Sequence, residues 1–351
     1  MRFVLFVASM LCTGAHAQPA IRPLVPVPGL DVRQVSISRG GLQIAAVAGS
    51  NDLYRFDTVT LAGTELLNSS SGSHTLGLNA ITDTGRTVFL GISVNGLGRG
   101  YRWNNGTLTQ ITNTAGLLDR SAFPLQSAAD VNVTVGVGPS PNPPYFGFTQ
   151  PFRWSIGGAA YFTSGPGSDP GVRGIGITTD GGTMIWGERA RWMSYIRRSN
   201  GSISTVSGFR AFAISPDGSK IAGHTSAYRF SIMDTSTGSI VEYWSNGYNG
   251  DAILRLVDDG RTAFGTLNNG TDWVWTLNGG MTTFADYLTS RGVDYSGWTA
   301  FDVQDVSDDG ASWVGVGTYQ GQSRAFLVQI PAPGVLVVFT AAIGYVATRR
   351  R

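Results

Sequence analysis

Short apolar runs alternate with polar turn segments along the whole chain, and the clearest instance is Ala213–Gly223, AISPDGSKIAG. Ala213 and Ile214 on one side, Ile221 and Ala222 on the other, flank a Pro-Asp-Gly turn, which is the pattern of a β-hairpin. Pro216 presets φ, the Asp217 side chain bonds its own backbone, and Gly218 accepts a positive φ. The same unit recurs as AITDTGRTVFLG, GITTDGGTMIWG, RLVDDGRTAFG and DVSDDGASWVG, aligned on Gly85, Gly181, Gly260 and Gly310. A looser copy, SISRGGLQIAAVAG, aligns on Gly40. In SAADVNVTVGVG the glycine position holds Asn132, and Asn is enriched in left-handed backbone. These seven anchors stand 37 to 50 residues apart. Periods of that length, with four short strands each, predict an all-β, seven-bladed β-propeller, with six or eight blades as alternatives.

A second pattern follows each hairpin. Tyr54-Arg-Phe56, Tyr101-Arg-Trp103, Phe152-Arg-Trp154, Tyr228-Arg-Phe230, Trp273-Val-Trp275 and Arg324-Ala-Phe326 read as third strands. Residues at i and i+2 share one face of a strand, so these aromatics are expected to fill the space between blades. The fourth unit offers Arg191-Trp-Met193 or Tyr195 in that role. Asn105-Gly106 and Asn200-Gly201 then turn the chain into fourth strands over Thr107–Ile111 and Ser202–Val206. FADYLTSRG, inside Phe284–Trp298, reads as a helical turn before the last unit.

The last unit ends at its third strand, Phe326–Ile330. The Pro-rich segment Gln18–Leu30 is either a linker or, through Leu24–Val27, the missing fourth strand. An outermost strand is the place where proline is tolerated and where an open edge needs covering.

Both ends differ from the body. Arg2, the apolar run Phe3–Leu11 and Ala15-His-Ala17 have the three parts of a signal peptide over 1–17, with cleavage after Ala17. At the other end, Pro331-Ala332-Pro333 breaks the β pattern. The apolar stretch Val335–Thr348 follows, and Arg349, Arg350 and Arg351 close the chain. That stretch is expected to be a membrane helix with its arginines on the cytoplasmic side, although a full span takes about 20 residues.

Composition fits this division. Gly makes up 48 of 351 residues, about twice the usual share, as a turn-rich fold requires. Charged residues are 14%, against about 25% in ordinary domains. The formal charge is +2, and the two ends hold four arginines and no acid, so the body carries about −2. A body so nearly neutral has no electrostatic footprint for nucleic acid. The one cysteine, Cys12, lies in the expected leader, which leaves the body at 18–330 without disulfides.

The order of Pro-Ala-Pro, apolar helix and terminal arginines resembles the PEP-CTERM sorting signal over residues 331–351, with Ala332 where that family usually has Glu. The repeats are similar to extracellular HAF-type propeller repeats. The resemblance implies recognition by an exosortase-type processing enzyme, transient membrane attachment, and delivery to the outer membrane, cell surface or extracellular space, where the expected partner is a surface polysaccharide (exopolysaccharide) or a protein.

No motif for a nucleophile, a phosphate loop, a dinucleotide site or a metalloprotease is present. His16 falls in the leader, and His74 and His224 sit in separate units. Asp258-Asp259 and Asp308-Asp309 lie in the repeated turn, where Asp stabilises the turn itself. Asp302, Asp305, Asp308 and Asp309 are close enough in sequence to suggest a calcium site as the alternative. Trp186, Trp244, Tyr248 and Trp298 are candidates to line an axial mouth, with Trp244, Tyr248 and Trp298 the expected ligand contacts. The chain thus reads as a monomeric, non-enzymatic surface binding platform with no cofactor. The alternative is a secreted propeller enzyme, a glycoside hydrolase or lyase acting on polysaccharide.

Overall fold

The computed structural model describes residues 19–24, 32–49, 52–67, 74–94, 97–111, 123–129, 133–139, 149–155, 158–161, 172–188, 192–243, 252–267 and 269–330. The expected signal peptide and the expected apolar C-terminal helix lie outside them, as do Asn132, Trp244 and Tyr248. The described residues form seven four-stranded sheets, a seven-bladed β-propeller. Blade 1 is β2 (Val32–Ile37), β3 (Gln43–Ala48), β4 (Asp52–Asp57) and β5 (Gly63–Leu67). Blade 2 is β6 (His74–Ile81), β7 (Thr87–Val94), β8 (Leu97–Asn104) and β9 (Thr107–Gln110). Blade 3 is β10 (Phe123–Ser127), β11 (Val133–Pro139), β12 (Thr149–Ser155) and β13 (Gly158–Tyr161). Blade 4 is β14 (Val172–Ile177), β15 (Met184–Glu188), β16 (Met193–Arg197) and β17 (Ile203–Ser207). Blade 5 is β18 (Phe209–Ile214), β19 (Lys220–Thr225), β20 (Phe230–Asp234) and β21 (Ile240–Glu242). Blade 6 is β22 (Ala252–Val257), β23 (Thr262–Thr266), β24 (Asp272–Thr276) and β25 (Gly280–Thr283). Helix α1 (Phe284–Ser290), capped by Thr283, leads into blade 7: β26 (Trp298–Val306), β27 (Ser312–Tyr319), β28 (Gln322–Gln329) and, from the far end of the chain, β1 (Arg22–Leu24).

The recurring hairpin owes its sequence to its hydrogen bonds. In blade 5, Ser215 Oγ accepts from Lys220 N at 2.9 Å and donates to Asp217 Oδ1 at 2.6 Å. Asp217 Oδ1 in turn accepts from Ser219 N at 3.0 Å. Thr178 with Asp180, and Ser307 with Asp309, repeat this arrangement in blades 4 and 7. The unit is therefore Ser/Thr-x-Asp-Gly, and its glycine has two duties. Gly218 has φ 77°, and a Cβ there would lie 2.9 Å from Thr178 of the preceding blade. At Gly260 the same atom would meet Lys220 at 2.5 Å. In blade 1 the positive φ falls on Gly41 and not on Gly40, because Ser38 supplies the hydroxyl and sets the count. In blade 6, Val257 replaces the hydroxyl residue, and Asp258–Gly260 tightens into a 3-10 turn with both aspartates at φ 49°.

Among the described residues the buried apolar side chains gather into seven clusters, one at each blade-to-blade interface, and not into one central core. The strand aromatics do fill these interfaces: Phe89 meets Trp154 edge-on at 6.0 Å, and Phe264 meets Trp313 at 5.4 Å. Fully buried Trp186, Trp275 and Trp313 each stabilise the ring by about 2–3 kcal/mol. Tyr228 is the exception to the strand-aromatic pattern. β20 begins at Phe230, and Tyr228 sits in the preceding turn, half exposed. It has φ 58°, in the left-handed region, and its N–H closes the turn onto Thr225 O at 2.9 Å.

The ring closes through β1. Arg22, Pro23 and Leu24 pair with Leu327, Phe326 and Ala325 of β28. The pairing begins two residues earlier than the expected Leu24–Val27. Leu24 is 1% exposed and packs with Val314 and Leu327 of blade 7 and with Val35 and Ile37 of blade 1. Among the described residues no further strand lies outward of β1, so a missing N–H on that side costs nothing. Ile21 N to Asp294 O and Asp294 N to Pro19 O pin the strand's approach. Leu24→Asp places an unpaired carboxylate in this interface and is expected to lower stability by about 3–5 kcal/mol. Urea unfolding measures it, and a loss below about 1 kcal/mol would show that closure does not depend on this strand.

Candidate functional site at the propeller axis

The first strand of every blade turns one edge to the axis, where its backbone groups need partners. Neighbouring blades supply them through side chains. Gln34 Oε1 accepts from Leu78 N at 2.6 Å, Gln126 Oε1 from Ile177 N at 2.8 Å, and Gln304 Oε1 from Val35 N at 2.8 Å. Ser194 Oγ accepts from Ala211 N at 2.7 Å, and Asp272 Oδ2 from Val303 N at 2.5 Å. Asp305 Oδ2 takes both Ser36 Oγ and Ile37 N, at 2.7 and 3.1 Å.

The hairpin turns lie together at one end of the axis and close it. Arg39, 3% exposed, crosses the centre. Its Nε donates to Ser127 O at 2.8 Å, its Nη2 to Ile177 O at 2.5 Å, and its Nη1 to Asp308 Oδ1 at 3.1 Å. Thr179 also donates to Asp308. Burial pulls the Arg39 guanidinium below its ordinary value, and Asp308 opposes that. The turn backbones join around the plug: Ala129 N to Thr179 O, Thr179 N to Pro216 O, Asp258 N to Asp308 O, and Asp308 N to Arg39 O, at 2.7–3.0 Å. Pro216 has no N–H, so the matching bond from blade 5 cannot form.

Toward the other end the axis widens into a cavity of about 330 Å³, walled by first strands of six blades. Its shape follows from β-bulges. In five blades one extra residue stands three positions before the turn's first residue: Asn79, Leu125, Phe212, Leu254 and Gln304. A bulge re-aims its side chain, and Asn79, Leu125, Leu254 and Gln304 line the cavity. Gln34 and Gln126 add amides, and Leu78 adds apolar wall. Leu125 and Leu254 remain 45% and 41% exposed at the mouth. Of the charged groups, Arg255 and Asp305 pair at 2.7 Å and are nearly buried. Asp302 is exposed and accepts from Gln304 Nε2 at 2.8 Å.

The expected site residues are distributed otherwise. Trp298 is 5% exposed, between Tyr319 and Phe326, and Trp186 is buried against Tyr195. Both pack blades. The four acids weighed as a calcium site do separate jobs: Asp302 with Gln304, Asp305 with Arg255, Asp308 with Arg39, and Asp309 in its turn. Among the described residues no group of three or more His, Cys, Asp or Glu is placed to hold a metal. His224 is buried against Phe212, and burial, with Arg210 assisting, holds it down to about 4. It is neutral at pH 7.

The open end also carries an aromatic pair that the alternation pattern could not reveal. Trp192 and Tyr228, from the second turns of blades 4 and 5, meet edge-on at 4.8 Å. The Arg210 guanidinium lies 4.0 Å from the Trp192 ring centre. Both aromatics have positive φ, 50° and 58°, a strain of about 1–3 kcal/mol each that the turns hold in place.

Asp272 makes the axial lining sensitive to pH. Burial raises its carboxyl from 3.8 to about 6, against hydrogen bonds from Val303 N and Thr266 that lower it. A folded-state pKa above the unfolded one favours the protonated fold, so stability falls as pH rises from about 4 through 6. Asp272→Asn keeps an acceptor for Val303 N and removes the ionisation. It is expected to gain about 2 kcal/mol at pH 7 and nothing at pH 4, by urea unfolding at both. Equal effects at the two pH values would contradict this. Neither a comparison with protein-family models nor one with curated proteins finds a match to the chain.

Proposed function

We propose that this is an exported cell-surface or matrix propeller, sorted by an exosortase-type signal, that displays its axial mouth as a non-enzymatic binding platform. The observation that carries the reading is the blind cavity, walled by side chains from six blades and rich in amides that neither gain nor lose protons near neutrality. The export half rests on the two ends of the sequence. Among the described residues no helix is long and apolar enough to cross a membrane, and residues 331–351 lie outside them. The second reading, a secreted enzyme acting on polysaccharide, draws on Asp272, raised to about 6 with Asp302 contributing to the shift. A raised acid beside an exposed carboxylate is the material of acid–base chemistry.

Mass spectrometry of the protein recovered from its host is expected to find Gln18 at the N-terminus and Arg349–Arg351 removed. An intact Arg351 would count against processing. On glycan and peptide arrays, the recovered protein is expected to retain a ligand without altering it. Asn79→Ala with Leu254→Ala should weaken retention about tenfold, or ~1.4 kcal/mol, with unchanged thermal melting. Release of new reducing ends, abolished by Asp302→Asn, would favour the enzyme.

A further inference from the structure

We propose that the axial cavity receives a cation on an aliphatic stem, the lysine or arginine side chain of a protein partner. This rests on the binding-platform reading and gives it a ligand class. The charges in the wall are already settled except for one. Asp305 is neutralised by Arg255 and accepts from Ser36 Oγ, Ile37 N and Val306 N. Asp302 is exposed, and it is held rather than free to swing. Gln304 Nε2 donates to it at 2.8 Å, and the same Gln304 is fixed by Val35 N at 2.8 Å. A carboxylate fixed at a concave mouth attracts a positive group more strongly than one on an open surface.

The rest of the mouth suits what would carry that charge. Leu125 and Leu254 leave much of their surface exposed around the opening, where a chain of methylenes would cover them. A volume near 330 Å³ stands at the small end of ligand sites, on the scale of one side chain or one sugar ring. A neutral sugar would set hydroxyls against the leucines and leave Asp302 without a counter-charge. Lysine and arginine satisfy the apolar rim and the carboxylate together, and Asn79 offers an amide to orient the head group.

The test uses the exported full-length protein with four probes: the N-acetyl methylamides of lysine, arginine and norleucine, and cellobiose. Calorimetry or chemical-shift perturbation reads the binding. The two cationic probes are expected to bind about tenfold more tightly than norleucine and to weaken as salt rises from low ionic strength. Asp302→Asn should remove that preference. Glu65→Gln, an exposed acid on the outermost strand of blade 1, should leave it intact. Asp302 is on the surface, so equal melting temperatures establish that the variant is folded. If norleucine binds as well as lysine, or Asp302→Asn changes nothing, the cation is wrong. Cellobiose binding that Asn79→Ala weakens, without cation binding, overturns the ligand class and keeps the platform. If none of the four probes perturbs the mouth, both readings fall.

Discussion

Three backbone registers between β1 and β28 hold the ring together. Most other blade contacts join sequence neighbours, and this pairing, together with Arg39 and the contacts of blade 7 with blade 1, closes what would otherwise be an open stack of sheets. The consequences reach the axis. Gln304 reaches Val35 across 269 residues of sequence, and Asp305 reaches Ser36 across the same distance. Both bonds join blade 7 to blade 1, and both shape the cavity wall. Closing so long a loop costs conformational entropy, but that cost grows only with the logarithm of loop length. The buried apolar cluster around Leu24, Val314 and Leu327 opposes that cost.

Two kinds of polar group follow from closing a sheet ring. At the closed end, turn backbones bond to one another and Arg39 fills the hole that the turns leave. A buried guanidinium is costly unless it is paired and hydrogen-bonded. Here two carbonyls and Asp308 take its donors. Further along the axis, inner strand edges would be bare, and Gln, Ser and Asp from the adjacent blade cover them. The polar lining is thus first a structural requirement, and a binding surface second.

That origin explains what the sequence disclosed. The turn repeats were legible because Ser215, Asp217 and Gly218 satisfy local needs, and a local need leaves a local signature. Blade number and topology followed from counting them. Arg39 was not legible, since its partners Ser127, Ile177 and Asp308 lie up to 269 residues away. The axial residues were hidden differently. A bulge breaks the two-residue period at Asn79, Leu125 and Leu254, so the residues that face the axis look like errors in an alternation. Tyr228 misleads for the opposite reason. Its spacing to Phe230 fits a strand face, yet its φ of 58° puts it in a turn. A position just after a loop points Trp298 to the mouth, but β26 starts there and its ring is needed between Tyr319 and Phe326.

The division of labour among axial side chains also narrows what a ligand can use. Gln34, Gln126 and Asp305 have acceptors committed to backbone N–H groups of the next blade. Competing for them would open a blade interface, at about 1–3 kcal/mol for each backbone group left unsatisfied. Gln304 is committed at both ends, through Oε1 to Val35 and through Nε2 to Asp302. The groups that can meet a ligand at no structural cost are therefore Asn79, the outer face of Asp302, and the two rim leucines. They ride on first strands from four different blades, and the ring fixes their spacing before any ligand arrives. Preorganisation of this kind spares the ordering cost that limits the affinity of loop-built sites.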